Sequence, residues 1–269
     1  MIRETSLRVA VVLAVLATPA LAQTPPQAET RFSTGVMHLR EGRVDLALEE
    51  FKKAVKEDSK NPYFQKGLGL AYAAKASKER EARRTPAGSP PSKEEAEAWK
   101  EAIACFRRAL ELNPYYTDVR NDLATALIGS GDREAGKKEF LGAFSDPTNP
   151  TPEISARNLG QAYLEEKNYP EAINWYRASL NRNKKYSDPY LGIADALLAS
   201  NRLEEAVAQL EAGVAEIPDD PALLLALGQA FYKAGRFGEA RARLEEVVRK
   251  DPAGPSGRTA ADQLKALPK

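Results

Sequence analysis

The sequence contains one cysteine, Cys105, and one histidine, His38, among 269 residues. A single cysteine excludes a disulfide within the chain. Metal sites of the zinc type need several histidine or cysteine ligands, and two such residues do not supply them. The sequence also has no Gly-rich phosphate loop and no nucleophile elbow. We therefore expect a protein that is not an enzyme and that uses no cofactor or metal.

The chain also lacks an excess of charge of either sign. It has 39 Lys and Arg against 38 Asp and Glu, which leaves a formal net charge of +1. Nucleic acids and anionic membranes attract strongly basic surfaces, so neither is an expected partner. The only long apolar run, residues 9–17, is much shorter than the roughly 20 residues that span a bilayer. We therefore expect no membrane span.

Residues 1–22 have the pattern of a secretory signal peptide. A basic n-region precedes the apolar residues 9–17, and Ala20-Leu21-Ala22 forms an A-x-A cleavage site. Cys105 lies too deep in the chain to be the lipidated first residue of a lipoprotein, so no lipid anchor is expected. The pattern predicts an exported protein, periplasmic if the source is a Gram-negative bacterium.

A pattern of small and large residues recurs through the rest of the chain with a period of about 34 residues where nothing is inserted. In the stretch 153–186, position eight is Gly160, position twenty is Ala172 and position twenty-four is Tyr176. Small residues at eight and twenty let two helices approach closely, and the large residue fills the space beside them. Each repeat is therefore predicted to be an amphipathic helix hairpin, and the fold to be all-α.

The ends of the predicted helices carry matching signals. Proline follows Asn113, Ile217 and Asp251, where its missing N–H stops a helix. A glycine lies in the tight turn inside three repeats, where a left-handed backbone conformation suits it: Gly42, Gly131 and Gly235.

This pattern resembles the tetratricopeptide repeat family over nearly all of the chain after residue 27. The family's small and large positions are matched by Leu159, Gly160, Tyr163, Ala172 and Tyr176, and in phase by the other repeats. The resemblance implies a right-handed α-solenoid of six hairpins with a C-terminal capping helix. The predicted order is a linker at 23–27, repeats at 28–61, 62–116, 117–151, 152–186, 187–220 and 221–254, and the capping helix and tail at 255–269.

The junction 145–151 is two residues longer than the period, and Asn158-Leu159-Gly160 then restarts the pattern. Over residues 140–207 this arrangement is similar to the six-repeat outer-membrane pilotin family of type IV pili. That family helps to assemble the secretin ring through which the pilus passes. The resemblance implies an assembly factor for an envelope machine.

The second repeat contains an insertion of about 21 residues relative to the family period, at 76–96. Its flanks are rich in helix-forming residues, and Ser92 with Glu95 forms a capping box that would start the second helix early. One interpretation is a projecting charged hairpin whose Arg80, Arg83 and Arg84 contact an acidic partner. The other is a solvated, partly disordered loop.

In the resembled family the first helix of each repeat lines a concave face that binds a peptide segment. That surface is apolar with scattered amides and charges, which suits an extended or helical segment of a partner protein. On this chain the face would present Phe32, Val36, Tyr63, Lys66, Leu70, Asn121, Thr125, Arg157, Gln161, Leu164, Leu191, Asp195, Leu225, Gln229, Tyr232 and Lys233.

The remaining chemistry-bearing residues are predicted to pack. His38 occupies a position that other repeats fill with Tyr, Leu or Phe, and Cys105, Trp99 and Trp175 lie among the packing positions of second helices. The sequence thus favours a non-catalytic interaction scaffold of the cell envelope whose protein or peptide partner is unknown. A periplasmic carrier of a small ligand or glycan and an accessory subunit of an enzyme complex stay open as alternatives.

Overall fold

The computed structural model describes residues 25–83 and 89–268. The predicted signal peptide lies outside the described residues, as does part of the insertion in the second repeat. The described residues form thirteen α-helices and no β-strand. Among them, every helix is too short or too polar to cross a membrane. The helices are α1 Pro26–Arg40, α2 Val44–Glu57, α3 Pro62–Arg83, α4 Lys93–Leu112, α5 Thr117–Ser130, α6 Arg133–Ser145, α7 Pro152–Glu165, α8 Tyr169–Arg182, α9 Ser187–Ala199, α10 Leu203–Glu216, α11 Pro221–Lys233, α12 Phe237–Lys250 and α13 Pro255–Ala266.

The chain divides into two compact units, one ending at Ala143 and the other beginning at Phe144. In each unit consecutive helices pack as hairpins and the hairpins stack in chain order. The first helices also contact one another, α1 with α3 and α3 with α5 in the first unit, and α7 with α9 and α9 with α11 in the second. Helix α13 packs against α11 and α12 at the C-terminal end. This confirms the predicted all-α solenoid arrangement and its capping helix.

The predicted pairing of small and large residues is confirmed by direct contact. A Cβ atom added at Gly160 would lie 2.7 Å from Cδ1 of Tyr176, and one added at Gly69 would lie 2.6 Å from Cε1 of Phe106. Tyr176 and Phe106 are each only 1% exposed. In these two hairpins the helices can therefore approach so closely only because position eight is glycine.

The rings of Tyr176 and Phe51 also touch the following hairpin, which the sequence pattern did not indicate. A Cβ atom at Gly192 would lie 2.3 Å from Cζ of Tyr176, and one at Gly67 would lie 2.9 Å from Cε1 of Phe51. Each ring is thus enclosed between a glycine of its own repeat and a glycine of the next.

In five of the hairpins the inner turn contains one residue with a left-handed backbone. Gly42, Gly131 and Gly235 have φ of 72°, 101° and 73°, as predicted. Lys167 and Asn201 take the equivalent place in two other hairpins, both with φ of 60°. An L side chain in this conformation costs free energy that glycine avoids.

The prolines mark helix ends as predicted. Helices α4, α10 and α12 end with the C-cap residues Asn113, Ile217 and Asp251, and each cap directly precedes a proline.

The insertion lengthens both helices of its hairpin, and a buried carboxylate joins them. The backbone N–H of Glu95 donates to Oγ of Ser92 at 3.1 Å, which confirms the predicted N-cap of α4. The Glu95 side chain does not turn back to the cap. It is fully buried and accepts from Nε of Arg80 at 2.6 Å and from Nη1 of Arg83 at 3.1 Å. Both arginines are therefore engaged within the hairpin.

Candidate partner-binding site

The predicted binding residues lie on the first helices of the hairpins, but several are covered. Val36, Leu70 and Leu225 are only 9%, 6% and 4% exposed, and Asn121 is also buried. The three apolar side chains belong to the hydrophobic cores because neighbouring first helices pack over them. They leave almost no surface for a partner, so the candidate site does not include them.

At the α1–α3 contact the predicted residue Phe32 belongs to an aromatic cluster. Its ring centroid lies 5.4 Å from that of Phe51 and 5.1 Å from that of Phe64. Thr125, on α5, donates from Oγ1 to the backbone carbonyl oxygen of Asn121 at 3.0 Å. These side chains are occupied in internal contacts and present a small part of their surface.

A charged and aromatic cluster joins α3 to α5. Nζ of Lys66 forms an ion pair with Asp118, lies 3.8 Å from Oδ2 of Asp122, and lies 5.2 Å from the ring centroid of Tyr116. The rings of Tyr63 and Tyr116 meet edge to face at 5.2 Å. The Lys66 side chain is only 14% exposed, so this lysine stabilises the junction of two repeats more than it presents charge to a partner.

Asp122 is a titratable member of this cluster that the sequence reasoning missed. Its Oδ2 atom is buried and accepts no hydrogen bond within the described part of the chain. Burial raises the pKa of its carboxyl to about 7, the nearby Lys66 opposes the rise, and the Asp118 carboxylate adds to it. One signal was available, because Asp122 occupies the position that other repeats fill with Gly67 or Gly192.

In the second unit, polar side chains of α7 and α9 form a network. Nη2 of Arg157 donates to Oδ2 of Asp188 at 2.7 Å. The Tyr176 hydroxyl donates to Oε1 of Gln161 at 3.1 Å, and Nε2 of Gln161 donates to Oε1 of Glu165 at 3.2 Å. The predicted residues Arg157 and Gln161 are thus held in fixed positions by partners on α8 and α9.

A row of polar residues crosses the second unit at position nine of its repeats. Gln161 on α7 and Gln229 on α11 are half-buried, and Asp195 on α9 between them is exposed. Because α7, α9 and α11 contact one another in this order, the row crosses three neighbouring helices.

Apolar side chains accompany this row. Leu164 and Leu191 are half-buried and pack against the core of the unit. Tyr232 is 48% exposed, and the neighbouring Lys233 is also exposed. The Tyr232 ring lies 5.6 Å from that of Phe237, which is 39% exposed and which the sequence reasoning missed. The second unit therefore offers amide and carboxylate groups beside exposed aromatic surface, a combination that suits a peptide segment.

The single cysteine and the tryptophan of the first unit are packing residues, as predicted. Cys105 is 8% exposed, and burial raises the pKa of its thiol to about 12, so the thiol stays protonated and a poor nucleophile. Trp99 is 3% exposed. Within the described ranges, no group of three or more His, Cys, Asp or Glu residues has the geometry to hold a metal ion.

Family models identify the repeat. A model described as tetratricopeptide repeat matches residues 14–62, 38–83 and 121–188. A second model of that description matches 163–224 and 210–266, and a third matches 100–116.

Comparison with individual proteins gives distant similarities. Protein CTR9 homolog of Arabidopsis thaliana is 21% identical over 230 residues, which are 84% of this chain and 19% of that protein. The chain thus spans about a fifth of the curated relative. The crystal structure of PilW, a widely conserved type IV pilus biogenesis factor, has a TM-score of 0.58 at 18% identity, covering 88% of this chain and 99% of PilW. PilF of Pseudomonas aeruginosa has a TM-score of 0.59 at 17% identity, covering 88% and 97%. At these identities the likeness concerns the fold.

Proposed function

Because the chain belongs to the tetratricopeptide repeat family, we propose that it is a non-catalytic scaffold that binds a peptide segment of a partner protein on the first helices of its second unit. The row of Gln161, Asp195 and Gln229 is the observation that carries this proposal. An extended segment that crosses α7, α9 and α11 would meet one side chain of the row on each helix. Amide groups can pair with the backbone N–H and C=O groups of such a segment whatever its sequence.

The exposed aromatic surface supplies the apolar part of this recognition. Tyr232 and Phe237 combine a large contact area with few rotatable bonds, and such residues commonly carry most of the binding energy of an interface. In the first unit, position nine of the first two repeats is occupied by Val36 and Leu70, which are buried. Lys66 of that unit is engaged in an internal ion pair. The second unit is therefore the favoured binding surface.

We further propose that the protein acts in the cell envelope, as an assembly factor for a machine such as a type IV pilus secretin. The signal-peptide pattern of residues 1–22 supports export, and the similarity in fold to PilW and PilF supports this pathway. Partner identity and the periplasmic location belong to this proposal.

The experiment is site-specific photo-cross-linking in the native envelope. A photo-reactive amino acid at Asp195 should cross-link to a partner segment that mass spectrometry identifies. The same group at Glu211, an exposed residue of the second helix α10, is the matched control. Cross-linking at 211 and not at 195 would contradict the proposed surface. Cross-linking to a small molecule in place of a protein would favour a carrier.

A pair of tyrosine variants tests the aromatic contribution. Tyr232→Asp should weaken partner capture at least about tenfold, because a charge replaces a contact residue worth about 1.4 kcal/mol or more. Tyr115→Asp, at a residue 77% exposed in the first unit, should leave capture unchanged. Both variants should keep the helical circular dichroism of the parent. Equal capture by all three proteins would exclude this surface.

A further inference from the structure

The first unit carries a second candidate surface, beside the lengthened helix α4. In every other repeat the second helix begins at position seventeen, which in this repeat is Trp99. Helix α4 begins at Lys93, six residues earlier, and therefore extends about 9 Å further at its N-terminal end. Trp99 itself packs against the last turn of α5, since a Cβ atom at Gly129 would lie 2.6 Å from its ring.

A groove of about 400 Å³ lies along α4 between Ala96 and Arg107. Its α4 wall consists of Ala96, Lys100, Ile103, Ala104 and Arg107. These residues follow one another at helical spacing and so form a single stripe. The two alanines leave room for a close approach, and Lys100 and Arg107 lie about 10 Å apart along the helix axis.

The opposite wall comes from the end of α5 and the turn that follows. It consists of Leu127, Ser130 and Asp132. Ser130 donates from Oγ to the carbonyl oxygen of Leu127 at 2.8 Å, and Asp132 accepts the backbone N–H of Ala135 at 3.2 Å. Both polar side chains are therefore used locally. Leu127 is only 5% exposed and contributes little surface, so the half-buried Ile103 and the exposed Ala96 and Ala104 form the apolar part of the groove.

The charge of the groove indicates what would fill it. Arg107 is exposed and forms no ion pair with any other described residue. Lys100 pairs only with Glu97 at 3.4 Å, and these side chains are 72% and 61% exposed. An exposed pair of this kind contributes little free energy and is easily exchanged for another partner. The one carboxylate in the wall, Asp132, is aligned with the N-terminus of α6, which favours a negative charge there.

We propose that this groove, defined by Ala96, Lys100, Ile103, Ala104, Arg107 and Leu127, docks an acidic amphipathic helix of a partner protein. Two carboxylates seven residues apart on such a helix match the spacing of Lys100 and Arg107. Small apolar residues between them pack against Ala104 and Ile103. Helix-in-groove recognition uses this combination of apolar anchors and flanking charges. This surface is separate from the proposed peptide site on the second unit.

The test uses the purified chain and two labelled helical peptides in fluorescence anisotropy. Each peptide is a stapled Ala/Leu helix, with glutamates at two positions seven residues apart in one and lysines there in the other. The glutamate helix should bind with a Kd at least tenfold lower than the lysine helix, and added salt should weaken it. Equal binding of both peptides, or no binding of the glutamate helix up to about 1 mM, would overturn the proposal.

Charge reversal at neighbouring residues supplies the matched control. Lys100→Glu with Arg107→Glu should reverse the preference, so that the lysine helix binds better. Arg108→Glu changes the adjacent residue, which pairs with Glu111 at 2.9 Å and lies outside the groove, and it should leave both affinities unchanged. An equal effect of Arg108→Glu would mean that general charge, not the groove, drives binding. A second copy of this chain is the other possible occupant of the groove, and analytical ultracentrifugation tests it. If the parent self-associates and the double variant does not, the groove binds a second copy and the proposal is overturned.

Discussion

Replacing Lys167 by glycine should stabilise the second unit, although the change removes a whole side chain. Lys167 has φ of 60° in the turn between α7 and α8, and its side chain is exposed. The left-handed conformation costs a non-glycine residue roughly 1–2 kcal/mol. Glycine avoids that cost but loses up to about 1 kcal/mol more backbone entropy on folding. The relief of strain outweighs this loss of entropy, so we expect a gain of about 0.5–1 kcal/mol.

Urea unfolding can measure this gain. The chain has two tryptophans, and Trp175 on α8 lies in the second unit with its ring 5.6 Å from that of Phe144. In a Trp99→Phe background, Trp175 alone reports on unfolding. The parent, Lys167→Gly and the reverse change Gly235→Ala should be compared in that same background. Gly235 has φ of 73°, so alanine there should destabilise the unit by a similar amount.

The sign of the Lys167→Gly effect decides whether the reasoning holds. A midpoint equal to or lower than that of the parent would mean that backbone entropy outweighs strain, or that the lysine side chain contributes more than its exposure indicates. Asn201→Gly is a useful comparison, because asparagine tolerates the left-handed region better than lysine does. This variant should therefore gain less stability than Lys167→Gly.

Three other changes test packing, ion pairing and proton binding. Gly192→Ala should destabilise the second unit by about 1–2 kcal/mol in urea unfolding, because the new Cβ would lie 2.3 Å from Cζ of the buried Tyr176. A gain in stability would contradict this prediction, since it would show that the ring moves freely. Glu95→Gln should lower the free energy of unfolding by about 1–3 kcal/mol and speed hydrogen exchange at the inserted ends of α3 and α4. Glu97→Gln, at an exposed ion pair, should change neither quantity. Equal effects of the two variants would contradict a stabilising role of the buried Glu95. Asp122 has its pKa raised to about 7, above the value of about 3.9 in an unfolded chain, so the native state binds more protons between these values and stability falls as pH rises through them. Asp122→Asn should remove this fall, so that the variant is more stable than the parent by at least about 1 kcal/mol at pH 8 but not near pH 4. If the urea midpoints of variant and parent differed by the same amount at every pH, the raised pKa would be contradicted.

The features that the sequence predicted best are those that repeat. Gly160 and Tyr176 meet within one hairpin, and the same small and large positions recur in other repeats, so a single contact explains several columns. Turn glycines such as Gly131 and helix-ending prolines act through the local backbone and need no knowledge of distant contacts. The helix hairpins could therefore be predicted from the spacing of these residues.

Features that depend on a second repeat or on one long-range contact were not predictable. A glutamate such as Glu95 normally indicates a solvated helix face, and only the length of the inserted α3 brings Arg80 and Arg83 onto it. Helical spacing places Val36 and Leu70 on the first-helix face but does not tell that the neighbouring helix covers them. For this reason the sequence identified the face that the first helices form, but not which residues remain accessible on it.

The rings of Tyr176 and Phe51 bear on how such a chain can change its number of repeats. Tyr176 touches Gly160 of its own repeat and Gly192 of the following one, and Phe51 does the same with Gly35 and Gly67. A repeat duplicated or deleted by recombination would bring its large residue against a foreign neighbour. At these two junctions the receiving position needs glycine, so the aromatic residue and the next repeat's glycine must be inherited together although they belong to different repeats. The heritable module at these junctions is offset from the hairpin by about half a repeat.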